Sequence, residues 1–140
     1  MTRQFTNNLI IKELGYKQWE VCQAFAFITD EGEVIEVPKG FRCDLASVFR
    51  WFKSIVDTPS YWTQAAVVHD WLYYQHRHGS ERFTRKQADK ILIQGMEEKE
   101  EEYKISWNLK RKSLVYAAVR LGGGPSWKPG FINTNERIDE

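Results

Sequence analysis

The hydrophobic pattern of the chain becomes helical at Tyr61-Trp-Thr-Gln-Ala-Ala-Val-Val-His-Asp-Trp-Leu-Tyr-Tyr-Gln-His76. Apolar and aromatic residues in this stretch recur at the spacing of one helix face, because a helix turns once in about 3.6 residues. The spacing predicts a helix that begins near Tyr61, is capped by Thr58 or Ser60 and ends at Gly79. Its inward face is predicted to carry Trp62, Ala65, Ala66, His69, Leu72, Tyr73 and His76.

The residues before this helix have a composition typical of strands. Residues 8–14 and 17–28 are predicted strands, and the second is rich in aromatic and β-branched side chains. A turn over residues 30–33 and a short strand over residues 34–37 predict a hairpin.

Helical signals return in the second half of the chain. The segment Thr84-Arg-Lys-Gln87 matches a capping box for a second long helix, and a third is predicted from about Ile105 to Leu121. The fold class is therefore predicted to be α+β, with a small antiparallel β-sheet from the N-terminal half packed with three to four α-helices. Residues 1–124 are predicted to form a single domain, and residues 125–140 an extended C-terminal tail.

Composition and charge restrict the function. The 140 residues include 20 Lys and Arg against 19 Asp and Glu, a formal net charge of +1, which argues against bulk nucleic-acid binding. No apolar run reaches the roughly 18 residues of a transmembrane segment, and no signal peptide is expected. Two cysteines are too few for a disulfide framework, so free thiols in a reducing compartment are expected.

The charged residues are clustered along the chain although the net charge is nearly zero, and aromatic residues are numerous. The acidic run Glu97–Glu102 is expected to pair with cations of the last helix, which include Lys104, Lys110, Arg111, Lys112 and Arg120. The six Trp, six Tyr and eight Phe suit an interaction surface as well as a core.

His69 is the strongest candidate for chemistry, because it lies on an apolar helix face beside an acid. A histidine in an apolar wall has an adjustable pKa and can act as a general base. Asp70 can hold a cation, and Tyr73 lies one turn beyond His69. The structural alternative is a core histidine that only hydrogen-bonds a backbone or carboxylate partner.

Two further acids, Asp44 and Asp89, are candidates to orient the His69 ring. Asp89 lies between apolar neighbours, where an unpaired charge is costly, and Arg85 four residues earlier is an alternative partner for it. Asp44 precedes a predicted short helix, and Asp44 or Ser47 could equally cap that helix.

Other chemistries fit the sequence less well. A zinc site at His69, His76 and His78 lacks the glutamate of the zincin motif and any Cys-x-x-Cys pair. A His-Asp phosphohydrolase needs another histidine upstream of His69, and a serine hydrolase at Ser47 lacks the Gly-x-Ser-x-Gly turn. If a divalent cation binds, calcium is favoured over zinc.

Four blocks of sequence resemble an uncharacterised family of tailed phages and prophages, the domain of unknown function 1353. They are Gly40-Phe-Arg-Cys-Asp-Leu-Ala-Ser-Val-Phe-Arg50, Ala65-Ala-Val-Val-His-Asp-Trp-Leu-Tyr73, Arg85-Lys-Gln-Ala-Asp89 and Tyr116-Ala-Ala-Val-Arg-Leu-Gly-Gly123. Cys43 stands where the family usually has Thr, and Phe49 where it has Pro. The resemblance implies a phage protein with a compact α+β domain, located in the host cytoplasm during infection or on the virion. It implies no activity.

The string His69-Asp70-Trp71-Leu72-Tyr73 is similar to the catalytic helix of phospholipase A2 enzymes. This second resemblance implies that His69 activates water, Asp70 binds calcium, Asp89 holds the histidine and Tyr73 supports Asp89. The glycine-rich calcium loop and the cysteines of that family are missing, and residues 40–44 are the nearest substitute.

Two hypotheses of function follow. The first is a small phage-encoded hydrolase-like domain with a site at His69, Asp70, Asp44 and Asp89, phospholipase A2-like and assisted by a cation. The alternative is a non-enzymatic virion or host-factor-binding protein, in which His69 and Asp70 are structural. The sequence leaves open whether the chain is an enzyme, and whether its partner is a substrate or a phage or host protein.

Overall fold

A computed structural model describes residues 2–16, 18–45, 62–104, 109–131 and 136–138. The strands in chain order are β1 (Gln4–Phe5), β2 (Ile11–Gly15), β3 (Gln18–Val21), β4 (Phe25–Ile28), β5 (Val34–Val37), β6 (Phe41–Cys43) and β7 (Arg137–Ile138). The helices are α1 (Thr63–Arg77), α2 (Arg85–Tyr103), α3 (Leu109–Gly122) and the short α4 (Gly124–Trp127). The predicted α+β class is confirmed.

The strands form two small antiparallel sheets, with the orders β1-β4-β5 and β2-β3-β6-β7. The predicted hairpin is β4–β5, in which Phe25 pairs with Val37 and Ile28 with Val34. Its turn contains Gly32, whose φ of 83° lies in the left-handed region that favours glycine.

The single strand predicted over residues 17–28 is wrong, because the structure divides it between the two sheets. β3 pairs with β2 and β6, whereas β4 pairs with β1 and β5. Just after β3 the Cys22 amide still donates to the Ile10 carbonyl beside β2, at 2.7 Å, and the chain enters the other sheet at Phe25. The crossing has no glycine or proline, so the composition of residues 17–28 gave no sign of it.

Helix α1 lies at the centre of the fold. Its residues from Gln64 to Tyr73 are all buried, so the helix has no solvent-facing side over this length, in contrast to the single stripe that its spacing predicted. The residue before it, Trp62, provides no side-chain cap. Thr58 and Ser60 lie outside the described residues, as does Ser47.

Two apolar clusters enclose α1. One joins it to the sheets through residues such as Phe27, Phe41 and Val67, and the other joins it to α2 and α3 through residues such as Leu92 and Val115. The helices α1 and α2 approach closely at Gly95, where an added β-carbon would lie 2.7 Å from the Ala65 β-carbon.

The ends of α2 agree with the sequence. The capping box is present: Thr84 Oγ1 accepts from the Gln87 amide at 3.1 Å, and Gln87 Oε1 accepts from the Thr84 amide at 2.8 Å. At the acidic end, Lys112 of α3 pairs with Glu100 at 3.4 Å, as expected for this pair of helices. Arg3 adds a cation within 4.0 Å of the carboxylates of Asp30, Glu97, Glu98 and Glu101.

The C-terminal residues contact the body of the fold. Residues Gly124–Trp127 form α4, and β7 pairs with β6 through Phe41 with Ile138. Among the described helices, none combines the length and the apolar character that crossing a membrane requires.

Candidate functional site

The candidate site lies where α1, α2 and the end of α3 meet. His69 and Tyr73 project from successive turns of α1, and their ring centroids are 4.4 Å apart. Asp89 lies on the second turn of α2 and faces both rings. This placement follows from the sequence, since the capping box begins α2 at Arg85 and puts Asp89 on its buried side.

Asp89 is the centre of a hydrogen-bonded cluster. Its Oδ1 accepts from His69 Nε2 at 2.8 Å and from the Tyr73 hydroxyl at 2.6 Å. Its Oδ2 accepts from Arg120 Nη1 at 2.9 Å, and Arg85 Nη1 lies 4.0 Å from the same oxygen. We call these five residues the Asp89 cluster.

The Asp89 cluster is buried on one side and open on the other. Asp89 is 0 % exposed, and His69 and Tyr73 are each 4 % exposed. The Arg120 side chain is 31 % exposed. Burial of an unpaired carboxylate is costly, and the partners of Asp89 offset this cost.

These contacts set the protonation of two groups. Burial tends to raise the pKa of Asp89, but the hydrogen bonds from His69, Tyr73 and Arg120 and the charge of His69 outweigh it, so the pKa falls below its ordinary value. Burial, and then the Asp89 charge and hydrogen bond, raise the pKa of Tyr73 well above its ordinary value. Asp89 is therefore ionised and Tyr73 protonated at neutral pH.

The bond to an ionised carboxylate also defines the His69 tautomer. A carboxylate only accepts, so Nε2 carries the proton and the neutral ring has a lone pair on Nδ1. Among the described residues, Asp89 is the hydrogen-bond partner of the His69 side chain. The ring can therefore accept a proton at Nδ1 while Asp89 stabilises the resulting cation.

Arg85 has a structural role beside Asp89. Its Nη1 donates to the Val119 carbonyl at 3.3 Å and its Nη2 to the Arg120 carbonyl at 3.1 Å, at the C-terminal end of α3. A cation stabilises this negative end of the helix. Gly123, the residue after α3, packs against Tyr73, and a β-carbon added to it would lie 2.6 Å from the Tyr73 hydroxyl.

Trp127 of α4 packs beside the Asp89 cluster. Its ring meets Tyr73 edge-on, with centroids 5.0 Å apart, and stacks on His76 at 3.8 Å. His76 Nδ1 donates to the Trp127 carbonyl at 2.6 Å. Arg77 holds the same segment by donating to the Ser126 carbonyl at 2.6 Å.

Asp44 and Asp70 belong to a different charged group. Burial raises the pKa of the Cys43 thiol, and the negative charges of Asp70, Glu136 and Asp44 raise it further, so these acids lie near Cys43. Glu136 forms an ion pair with Arg77, and both side chains are buried. Of the two acids considered as partners of His69, Asp89 is the one that contacts it.

Metal ligands are not grouped in the described part of the chain, where no set of three or more His, Cys, Asp and Glu residues is arranged to hold an ion. His78, the third histidine of the zinc alternative, uses Nδ1 to donate to the Tyr74 carbonyl at 2.8 Å.

Arg120 is the member of the Asp89 cluster that the sequence did not reveal. The sequence predicts a surface cation of the last helix at this position, whereas the Arg120 guanidinium binds a carboxylate 31 positions earlier. Its position one turn before Gly123, beside the end of α3, is the signal that could have separated it from the other cations.

Comparisons with known proteins agree with the four sequence blocks. A model of the protein family of unknown function DUF1353 matches residues 19–119, which contain His69, Asp70, Tyr73, Asp89 and Asp44. No curated protein and no solved structure shows a significant match to the chain. Because the matched region spans most of the sequence, the chain belongs to the DUF1353 family.

Proposed function

We propose that this protein is a small hydrolase in which His69 is the general base. One observation carries the proposal: the buried bond of 2.8 Å from His69 Nε2 to Asp89 Oδ1. A carboxylate bound to one ring nitrogen orients the imidazole and stabilises its protonated form, which is the arrangement that a histidine base requires.

The other members of the Asp89 cluster support this role. Tyr73 and Arg120 donate to Asp89 and keep it ionised. His69 Nδ1 takes a proton from water, and the water oxygen attacks the acyl or phosphoryl centre of the substrate. The bond to the leaving group then breaks, its electron pair stays on the leaving group, and His69 returns the proton to that group.

A divalent cation is part of the proposal in a secondary role. Asp70 would be its ligand, with Asp44 nearby, and calcium is preferred to zinc because carboxylates are hard oxygen ligands. Activity is therefore to be measured with and without each ion.

The proposal is tested on lipid, peptidoglycan and nucleotide substrates, each with Ca²⁺, with Zn²⁺ and with a chelator. We expect His69→Ala to lower activity by about 10²-fold to 10⁴-fold, the typical contribution of a general base. His78→Ala is the matched control, because His78 lies just after α1 and outside the Asp89 cluster. Absence of wild-type activity on every substrate would contradict the proposal.

A non-enzymatic binding protein is the second candidate, and burial favours it. His69, Tyr73 and Asp89 are each at most 4 % exposed and join α1 to α2, as expected of a structural network. The surface of α3 also leaves Leu114 47 % and Leu121 87 % exposed, which suits a contact with another protein. An inactive wild type with a large loss of stability in His69→Ala would favour this candidate.

The family resemblance extends the proposal to origin and location. We propose a phage-encoded protein that acts in the host cytoplasm during infection or on the virion.

A further inference from the structure

The Asp89 cluster holds more positive than negative charge. The guanidinium groups of Arg85 and Arg120 both face the Asp89 carboxylate, at 4.0 Å and 2.9 Å. Within the described ranges, no second carboxylate lies within ion-pair distance of either arginine. Two guanidinium groups therefore face a single carboxylate beside the candidate base.

The two arginines differ in how their donors are used. Arg85 donates to two backbone carbonyls at the end of α3, which accounts for its position. Arg120 donates to Asp89 through Nη1, and no other bond of its guanidinium is found among the described residues. A guanidinium has five N–H donors, so most of those of Arg120 are available to a ligand.

The exposure of the Arg120 side chain also favours the binding of a ligand. The Arg120 side chain is 31 % exposed, although the carboxylate that it binds is 0 % exposed. Solutes can therefore reach the guanidinium from outside, while Asp89 holds it in place from inside. A fixed, partly exposed guanidinium binds carboxylate or phosphate oxygens well, because its planar fork matches two oxygens at once.

We propose that Arg120 binds an oxyanion, a carboxylate or a phosphate, carried by the substrate of the His69 site. The identification of this ligand as a substrate rests on the proposed function. His69 Nε2 and Arg120 Nη1 donate to different oxygens of the Asp89 carboxylate, so one substrate can reach both the guanidinium and the water that His69 activates. The preferred substrates are molecules whose scissile bond is near a negative charge, and neutral analogues bind more weakly.

The test is an NMR titration of the folded, full-length protein with sodium phosphate and, separately, with sodium acetate. Ionic strength is held constant, because screening alone shifts the signals of exposed charges. The Nε–Hε signal of Arg120 is assigned by its absence from the spectrum of Arg120→Lys. We expect this signal to shift and saturate with at least one of the two anions.

Variants show whether the anion is bound at Arg120. Because these variants lack the Arg120 Nε–Hε signal, their binding is followed by the backbone amide signals of the residues around position 120. We expect binding to be about tenfold weaker in Arg120→Lys, which keeps the charge without the fork, and to be lost in Arg120→Gln. Arg82→Gln is the matched control, because Arg82 also forms one ion pair, at 2.9 Å to Glu33, and is 43 % exposed. Its binding is expected to equal that of the wild type.

Each outcome is decisive. Saturation with phosphate alone assigns a phosphoryl group, saturation with acetate alone assigns a carboxylate, and saturation with both supports a site that accepts either oxyanion. No saturation with either anion, or equal binding by Arg120→Gln, overturns the inference. If Arg120→Gln does not fold, the wild-type signal and Arg120→Lys decide. The titration needs no catalysis, so its failure is distinct from failure of the hydrolase assays.

Discussion

Gly123 lies against the hydroxyl of Tyr73, at a distance that leaves no room for a side chain. A β-carbon at this position would be 2.6 Å from the hydroxyl oxygen, 2.7 Å from the Val119 carbonyl oxygen and 3.2 Å from Arg85 Nη1. The chain can therefore pass this close to Tyr73 only with glycine at position 123, which connects the packing of a helix end to the geometry of the candidate site.

Gly123→Ala is expected to lower the free energy of unfolding by about 1–3 kcal/mol, the usual cost of overpacking. The crowding atoms include the backbone carbonyl of Val119, which cannot move aside cheaply. Chemical denaturation measures the loss. Gly124→Ala is the control, because nothing lies within 4 Å of a β-carbon there. Equal effects of the two substitutions would contradict the steric explanation.

Asp89→Asn is expected to weaken the dependence of the unfolding free energy on pH in the acidic range. Because the folded pKa of Asp89 is lowered, its ionised form stabilises the protein above the ordinary carboxyl pKa, and this contribution is lost as pH falls through the folded pKa. At neutral pH the substitution is expected to cost about 3 kcal/mol, since Arg120 then loses its charged partner.

Urea denaturation from pH 3 to pH 7 measures the Asp89 effect. Asp30→Asn is the control, because Asp30 is 54 % exposed and lies 3.6 Å from Arg3 on the surface. If the unfolding free energies of the wild type and Asp89→Asn change in parallel with pH, the carboxylate has no such role.

Glu136 is expected to give the opposite pH dependence. Burial raises its pKa to about 7, the Arg77 charge lowers it in part, and the charge of Asp44 raises it again. The raised folded pKa favours the protonated form. Its contribution to stability is therefore complete below the ordinary carboxyl pKa and is lost as pH rises through about 7.

The measurement is the difference in unfolding free energy between the wild type and Glu136→Gln. We expect the wild type to lose stability relative to the variant between about pH 5 and about pH 7, with a plateau above. Glu81→Gln, at an exposed position, should follow the wild type at every pH. A constant difference between the wild type and Glu136→Gln would exclude a titration of Glu136 in this range.

Thr84→Ala is expected to cost about 1 kcal/mol of stability, because it removes the side chain that caps α2. Thr84→Ser keeps the capping oxygen and should retain most of this stability. Thermal unfolding followed by circular dichroism compares the three proteins. If the alanine and serine variants have the same midpoint, the capping box contributes little.

Much of this site could be predicted because it is local in sequence. The spacing of α1 puts His69 and Tyr73 on adjacent turns, and the capping box fixes the turn of α2 that carries Asp89. Two long helices close in sequence commonly pack together, so the approach of Asp89 to His69 was a reasonable expectation.

What could not be predicted depends on distant parts of the chain. Arg120 reaches Asp89 only because α3 packs with its C-terminal end near the start of α2. The spacing of residues within a helix does not indicate which other helix it will contact. The division of residues 17–28 between two sheets has the same cause. Strand propensity is a property of each residue, whereas the choice of partner strand is set by the whole sheet.

The close approach of α1 and α2 at Gly95 has a consequence for the bond between His69 and Asp89. Ala65 is one turn before His69 on α1, and Gly95 is on the same helix as Asp89, so the smallest residues of this interface set the distance between the two helices. A bulkier residue at position 95 would separate the backbones and lengthen the bond from His69 to Asp89 without contacting either residue. Variation at this glycine would thus change the geometry of the candidate site from a position in the interface between the two helices.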